Sequence, residues 1–286
     1  MESVGLISYG GATKCTINLG IVSVLRPVLS DIVTHAFGNS AGVACMQAFM
    51  TDQCGEAIEM TTRHLNVFRL LQWPSHGLID LDRFQKAWLE ETLDHARFWQ
   101  SPIIPHIGIY NVHRHRTQYI VPTPETLTSL FLGSAALPRL ARRIYHYIDG
   151  RRVRLLDGGL EDLTGYTTIR RDFPEIKKLI IVGHLPYLGE GYKYPKFLRH
   201  MILRQHHPDH PAKDALIKSY QLFMEAWKAM EADPDVLYIG PEPEIQGRSP
   251  VGFVDTTRAI RRGYAYGQER GRLALSRGEI KRFLYR

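Results

Sequence analysis

The chain has 286 residues, 44% of them hydrophobic and 23% charged, with a formal net charge of +7 and a pI near 9.3. This composition excludes a disordered or low-complexity polypeptide, and the length allows a core to form without a disulfide or metal staple. Cys15, Cys45 and Cys54, odd in number and without CxxC spacing, argue against a disulfide framework or a zinc site and for a reducing compartment. In chain order, Val4 to Ser8 reads as a strand, and Thr13 to Leu25 as a helix stopped by Pro27. Asp31 to Phe37 reads as a second strand and Ala41 to Met50 as a second helix. Two strands each followed by a helix predict an α/β fold with a mostly parallel central sheet covered on both faces. Helical patterns follow, as in RFQKAWLEETLDHARFW, and Ile103 to Ile120 reads as a pair of strands. Val153 to Leu156, KKLIIVG and DVLYIG are further strand signals, and amphipathic helices are expected around His200 to Arg204 and over Asp214 to Met230.

No stretch reaches the ~18 apolar residues of a membrane span. MESVGLISYGG carries an acidic residue where a signal peptide carries positive charge, so a cytoplasmic protein is expected. Basic clusters occur at Arg139, Arg142 and Arg143, at Arg151, Arg152 and Arg154, and between Arg258 and Arg286. They suit anionic surfaces in general, and each by itself is a solvated basic face. No nucleic-acid motif with interleaved aromatics accompanies them, so no nucleic-acid partner is expected.

Three short motifs carry chemistry. GGATKCT follows the first strand. It fails the phosphate-loop pattern because Gly11 stands where lysine is required, and it has no dinucleotide G-x-G-x-x-G. What it offers is a set of amides, at Gly10, Gly11 and Ala12, beside a helix N-terminus, able to meet an anion or merely to make a turn. GNSAG, Gly38 to Gly42, is a G-x-S-x-G pattern that exposes Ser40 on a strand-to-helix turn, its glycines allowing strand and helix to approach closely. The helix dipole favours negative charge developing beside Ser40. The last motif, DGG, places Asp157 at a strand end before Gly158 and Gly159, which free the backbone to aim the carboxylate into a cleft or to form an ordinary turn. HHPDH, His206 to His210, lacks good metal spacing and reads as a surface loop. No calcium-loop pattern is visible; no metal or cofactor is expected.

Taken together and in this order, the glycine loop, GNSAG and DGG resemble the patatin-like phospholipase family, over residues 4 to 185. SAALP, Ser134 to Pro138, is similar to a serine-containing stretch that precedes the family's aspartate. FVDTTRAIRRGYAYGQE, Phe253 to Glu269, resembles a segment of its bacterial YjjU-type members. The loop departs from the family pattern at Ala12 and Cys15, where glycines are usual. The resemblance implies a three-layer α/β/α sandwich, with residues 186 to 286 as a mostly helical extension packed on the core. It implies a Ser40–Asp157 dyad without a catalytic histidine, and an oxyanion hole at Gly10, Gly11 and Ala12. The implied activity is hydrolysis of a phospholipid, lysophospholipid or other fatty acyl ester by a lipid acyl hydrolase. Lys14 is then a candidate contact for an anionic headgroup, and peripheral contact with an anionic membrane is expected. Three other readings stay open: an impaired patatin-fold binding protein, a hydrolase with a histidine base such as His184, His200, His206, His207 or His210, and a nucleotide-binding regulator.

Overall fold

The computed structural model describes residues 3–66, 79–138, 140–185, 212–242, 251 and 255–286. Five short runs of apolar residues build the parallel heart of one sheet, eight-stranded among the described residues. They are β1 (Val4–Ser8), β2 (His35–Asn39), β3 (Ile104–Asn111), β7 (Lys178–Val182) and β8 (Val236–Ile239). On one flank β4 (Arg116–Ile120) folds back on β3, and the hairpin β5 (Ile144–Ile148) and β6 (Arg151–Asp157) is antiparallel. The order across the sheet is β5-β6-β3-β2-β1-β7-β8, with β4 paired to β3 off that path.

Alternation along each strand divides the core into two layers. Val4 and Leu6 of β1, with Ile180 and Val182 of β7, face α1 (Cys15–Leu29), α2 (Gly42–Thr51) and α3 (Cys54–His64). Ile7 of β1 and Leu179 and Ile181 of β7 face the opposite layer, where Phe223, Trp227 and Met230 of α8 (Ala212–Ala232) and Ile169 of α7 (Tyr166–Asp172) pack. The remaining helices are α4 (Leu81–Gln85), α5 (His95–Gln100), α6 (Leu127–Ser134), α9 (Thr257–Ser276) and α10 (Glu279–Leu284). The architecture is a three-layer α/β/α fold with a mostly parallel sheet. α9 lies on α1 at backbone contact. A Cβ on Gly20 would come within 2.1 Å of the Tyr264 carbonyl oxygen, and one on Gly267 equally close to that of Ile17.

Several boundaries differ from the sequence expectation. Pro27 does not stop α1 but sits in its last turn; the helix continues to Leu29, and Ser30 N–H closes it on the Arg26 carbonyl at 2.9 Å. The second strand begins at His35, four residues later than Asp31. The helical run at 83–99 is broken: α4 passes into a π turn, Lys86–Glu90, and Asp94 restarts the chain as α5 by accepting from Arg97 N–H at 3.0 Å. The expected helix around His200 to Arg204 and the HHPDH loop lie outside the described residues. Among the described residues no helix is long and apolar enough to cross a membrane.

Candidate active site

Two strand ends meet on one step of β3. Asn39, the last residue of β2, pairs with Gly108, and Asp157, the last residue of β6, pairs with the next residue, Ile109. Ser40 and Asp157, far apart in sequence, are thereby delivered to the same region, close enough for the Ser40 hydroxyl to act on the Asp157 carboxyl. Gly158 must be glycine for this convergence, since a Cβ there would come 2.4 Å from the Gly108 carbonyl oxygen. The reason differs from the conformational freedom expected of the Gly158–Gly159 pair, because neither residue has a positive φ. The pair opens a short 3-10 turn, Gly158–Leu160, rather than a hairpin, and Gly159 N–H donates to Asp157 Oδ1 at 2.8 Å.

Ser40 occupies the left-handed region at φ 51°, which costs a non-glycine residue about 1 kcal/mol and turns the strand sharply into α2. Its strain is held from both sides. Ser40 N–H donates to Ser134 Oγ at 2.8 Å, and that hydroxyl donates onward to the Gly108 carbonyl at 2.5 Å. A Cβ on Gly42 would lie 2.0 Å from the Ser8 carbonyl oxygen, so α2 starts hard against β1. SAALP thus contributes a brace for the elbow through Ser134.

Asp157 is 4% exposed. Burial lifts its pKa from 3.8 to about 6, while the Ser40 hydroxyl and the Gly159 amide pull it down. An aspartate so placed is a competent base near neutral pH, which a solvated one is not.

The glycine loop closes the third side. Gly10 backs directly on the serine, and a Cβ there would come 2.4 Å from Ser40 Cβ. Its N–H, however, is donated to Asn39 Oδ1 at 2.6 Å. Gly10 is therefore corrected from anion donor to anchor of the loop. Asn39 Nδ2 donates in turn to the Leu163 carbonyl at 3.0 Å, which fixes the amide. The amides of Gly11 and Ala12 have no protein acceptor among the described residues. Ala12 lies at φ 51°, a conformation that glycine adopts without penalty. Cys15 is buried, with its Sγ donating to the Tyr9 carbonyl at 3.3 Å.

Lys14 is partly buried, and burial lowers its pKa. His184, 2% exposed, packs on the far side of the loop: a Cβ on Gly11 would meet its Cε1 at 2.2 Å, and its ring centre is 5.0 Å from that of Tyr9. Burial, then the nearby Lys14 charge, pushes its pKa well below the ordinary value. His184 is thus a neutral ring wedged under the loop. The other candidate histidine bases, His200, His206, His207 and His210, lie outside the described residues.

A cavity of about 80 Å³ opens beside Ser40 and Ala12. It runs between Cys15, Thr16 and Leu19 of α1, Ala44 and Cys45 of α2, and Ala57 and Met60 of α3, toward Leu81 and Phe84. Its lining carries no charged side chain among the described residues. Among the described residues no group of three or more histidine, cysteine or acidic side chains is placed to hold a metal ion.

Sequence reasoning missed Asn39 and the wedge at His184. Asn39 sits at the variable position of G-x-S-x-G, where pattern alone gives it no role.

No family profile matches the chain, and no curated protein matches it. Among solved structures, the crystal structure of VipD from Legionella pneumophila aligns over 96% of this chain and 67% of its own, at 12% identity and a TM-score of 0.45. At that distance the likeness carries no argument about the site.

Proposed function

We propose that the protein is a serine acyl hydrolase of the patatin-like type, acting on phospholipid, lysophospholipid or other fatty acyl esters. The observation that carries this is the convergence of Ser40 and the buried Asp157 carboxyl, with Ser40 lining a mostly apolar slot. Ser40 Oγ attacks the ester carbonyl carbon as its proton passes to Asp157. The tetrahedral oxyanion is met by the amides of Gly11 and Ala12, each worth about 3 kcal/mol in such a role. Collapse expels the alcohol, which takes the proton from Asp157. The carboxylate then draws a proton from water to hydrolyse the acyl-enzyme. The slot suits the acyl chain because its walls are mostly apolar side chains. Lys14, in the same loop, is a candidate contact for a phosphate headgroup. The alanine at position 12 keeps its N–H and so retains the donor that a glycine would supply.

A fluorophosphonate probe tests the nucleophile. Labelling of the wild type that disappears in Ser40→Ala supports the reading, whereas a folded wild type that takes no label, or a Ser40→Ala protein that still does, refutes it. The slot is tested by Ala57→Phe, which fills it from α3. Hydrolysis of p-nitrophenyl palmitate falls about a hundredfold, and that of the acetate ester is retained. An equal loss on both esters would show that the acyl chain lies elsewhere.

A further inference from the structure

The β5–β6 and β3–β4 hairpins carry a cationic, aromatic surface that the dyad does not use. β6 runs antiparallel to β3 and ends at Asp157, so its earlier residues project beyond the edge of the sheet at which Ser40 sits. Val112 N–H donates to the Arg154 carbonyl past the last ladder pair, Asn111 with Leu155. Arg151 is six residues from Asp157 along extended chain, about 20 Å at the rise of a strand. The turn after β3, His113 to His115, projects in the same direction.

Alternation sorts the outer hairpin into two faces. His146 of β5 bonds Ser129 of α6 at 2.9 Å, and Ile144 is buried on that same side. Tyr145 and Tyr147 face the other way, opposite Arg154 and Arg152 respectively. Tyr147 is 68% exposed, and the Arg152 guanidinium lies 4.3 Å from the centre of the Tyr145 ring. Arg143, beside Arg154, adds to the charge of that face, whereas Arg151, opposite Ile148, and Arg116, opposite Asn111, fall by the same alternation on the His146 side. Asp149, the acid at the outer turn, is already paired with Arg114. Arginines alone would be explained as protection of β5, the exposed edge of the sheet. Two outward tyrosines are not, because apolar ring area on a bare edge invites the pairing that such charges prevent. Tyrosine with arginine is instead the combination that sits at a lipid–water boundary, ring toward the acyl region and cation toward phosphate.

We infer that this face docks the protein on an anionic phospholipid surface, with the two hairpins leading and the dyad behind them. The inference rests on the acyl hydrolase reading for its choice of lipid over nucleic acid, whose bases also stack on exposed tyrosines. It is tested with full-length Ser40→Ala protein, which cannot consume the vesicles, by sedimentation with phosphatidylglycerol–phosphatidylcholine vesicles and with phosphatidylcholine alone. Binding is expected to the mixed vesicles only, and to be released by salt. Adding Arg143→Gln and Arg152→Gln reduces partitioning about thirtyfold, from roughly a fivefold loss for each cation. Tyr147→Trp shifts its emission to the blue on binding. Equal binding to neutral vesicles, no loss in the double variant, an unshifted emission, or tighter binding to a single-stranded oligonucleotide would each overturn the inference. Hydrolysis of soluble p-nitrophenyl butyrate by protein with an intact Ser40, expected to be unchanged by the double substitution, reads the catalytic assignment separately. The failure of one is therefore not mistaken for the failure of the other.

Discussion

A buried titratable group lies at each end of the β2–β3 pair, His106 at one and Asp157 of β6 at the other, and the two ends have been built differently. At the N-terminal edge His35 Nδ1 and His106 Nε2 lie 2.9 Å apart, and the His106 ring is stacked on Phe37 with centres 4.3 Å apart and met by the edge of Phe173. His106 is 3% exposed, and burial, then His35, lowers its pKa to about 3. At the C-terminal edge Ser40 and Asp157 also converge, but Ser40 lines an open slot beside a loop with two amides that have no acceptor among the described residues. Both ends perturb a pKa strongly, so perturbation alone does not locate chemistry. What separates them is free space beside the pair and donors without an acceptor among the described residues. Aromatic rings fill that space at the histidine end.

The contrast predicts its largest effects in turnover. Ser40→Ala or Asp157→Asn should lower kcat/KM about 10⁴-fold, as removal of one member of a nucleophile–base unit does. His106→Phe should leave kcat/KM within about threefold of wild type, because that edge holds nothing that reacts. An ester-hydrolysis assay on the three purified variants decides it, and a His106 variant as dead as Asp157→Asn would dissolve the distinction. Within the active edge, kcat/KM should rise tenfold per pH unit below about 6 and level off above, as the Asp157 carboxylate becomes available to take the serine proton.

Stability should respond to pH with opposite signs at the two ends. Folding raises the Asp157 pKa from 3.8 to about 6, so ionised Asp157 costs the folded state about 3 kcal/mol, and stability falls as pH rises between those values. Folding lowers the His106 pKa from 6.5 to about 3, so its contribution is complete above pH 6.5 and is lost as pH falls toward 3. The two slopes oppose each other between about pH 4 and 6. Urea unfolding across that range should show a steeper acid loss in Asp157→Asn than in the wild type, together with a gain at pH 7. In His106→Phe the slope should reverse, and parallel curves for all three proteins would refute both assignments.

How much of this was readable beforehand follows from how local each signal is. VGLIS, KKLIIVG and DVLYIG became strands at or near the residues expected because an apolar run between turn residues states its own conformation. Ser40 could be placed at the turn after a strand because G-x-S-x-G contains both the strained residue and the glycines that permit its packing. The bond from Gly10 to Asn39, the brace from Ser134 and the wedge at His184 join residues 29, 94 and 173 positions apart from their partners, and no spacing rule reaches so far. Pro27 misled for a related reason. Proline ends most helices, but here it stands in the last turn of one whose buried face, Leu25 and Leu29, continues past it.

The smallest predicted effects concern strain, which also distinguishes the two ends. Ala12 and Ser40 both take φ 51° at the active edge, whereas no residue of the His35–His106 cluster has a positive φ. Glycine relieves such strain but gives back part of the gain through the freer unfolded chain, leaving a net stabilisation of about 0.5 kcal/mol. Ala12→Gly should therefore unfold at a slightly higher urea midpoint and keep its activity, since the amide at position 12 survives the change. Ser40→Gly should show the same gain in midpoint with no activity, because it removes the hydroxyl and the strain together. If Ala12→Gly instead loses stability, the left-handed turn of the loop is held by the methyl group rather than in spite of it. The loop's departure from glycine would then be a contribution to the fold, paid for nowhere else.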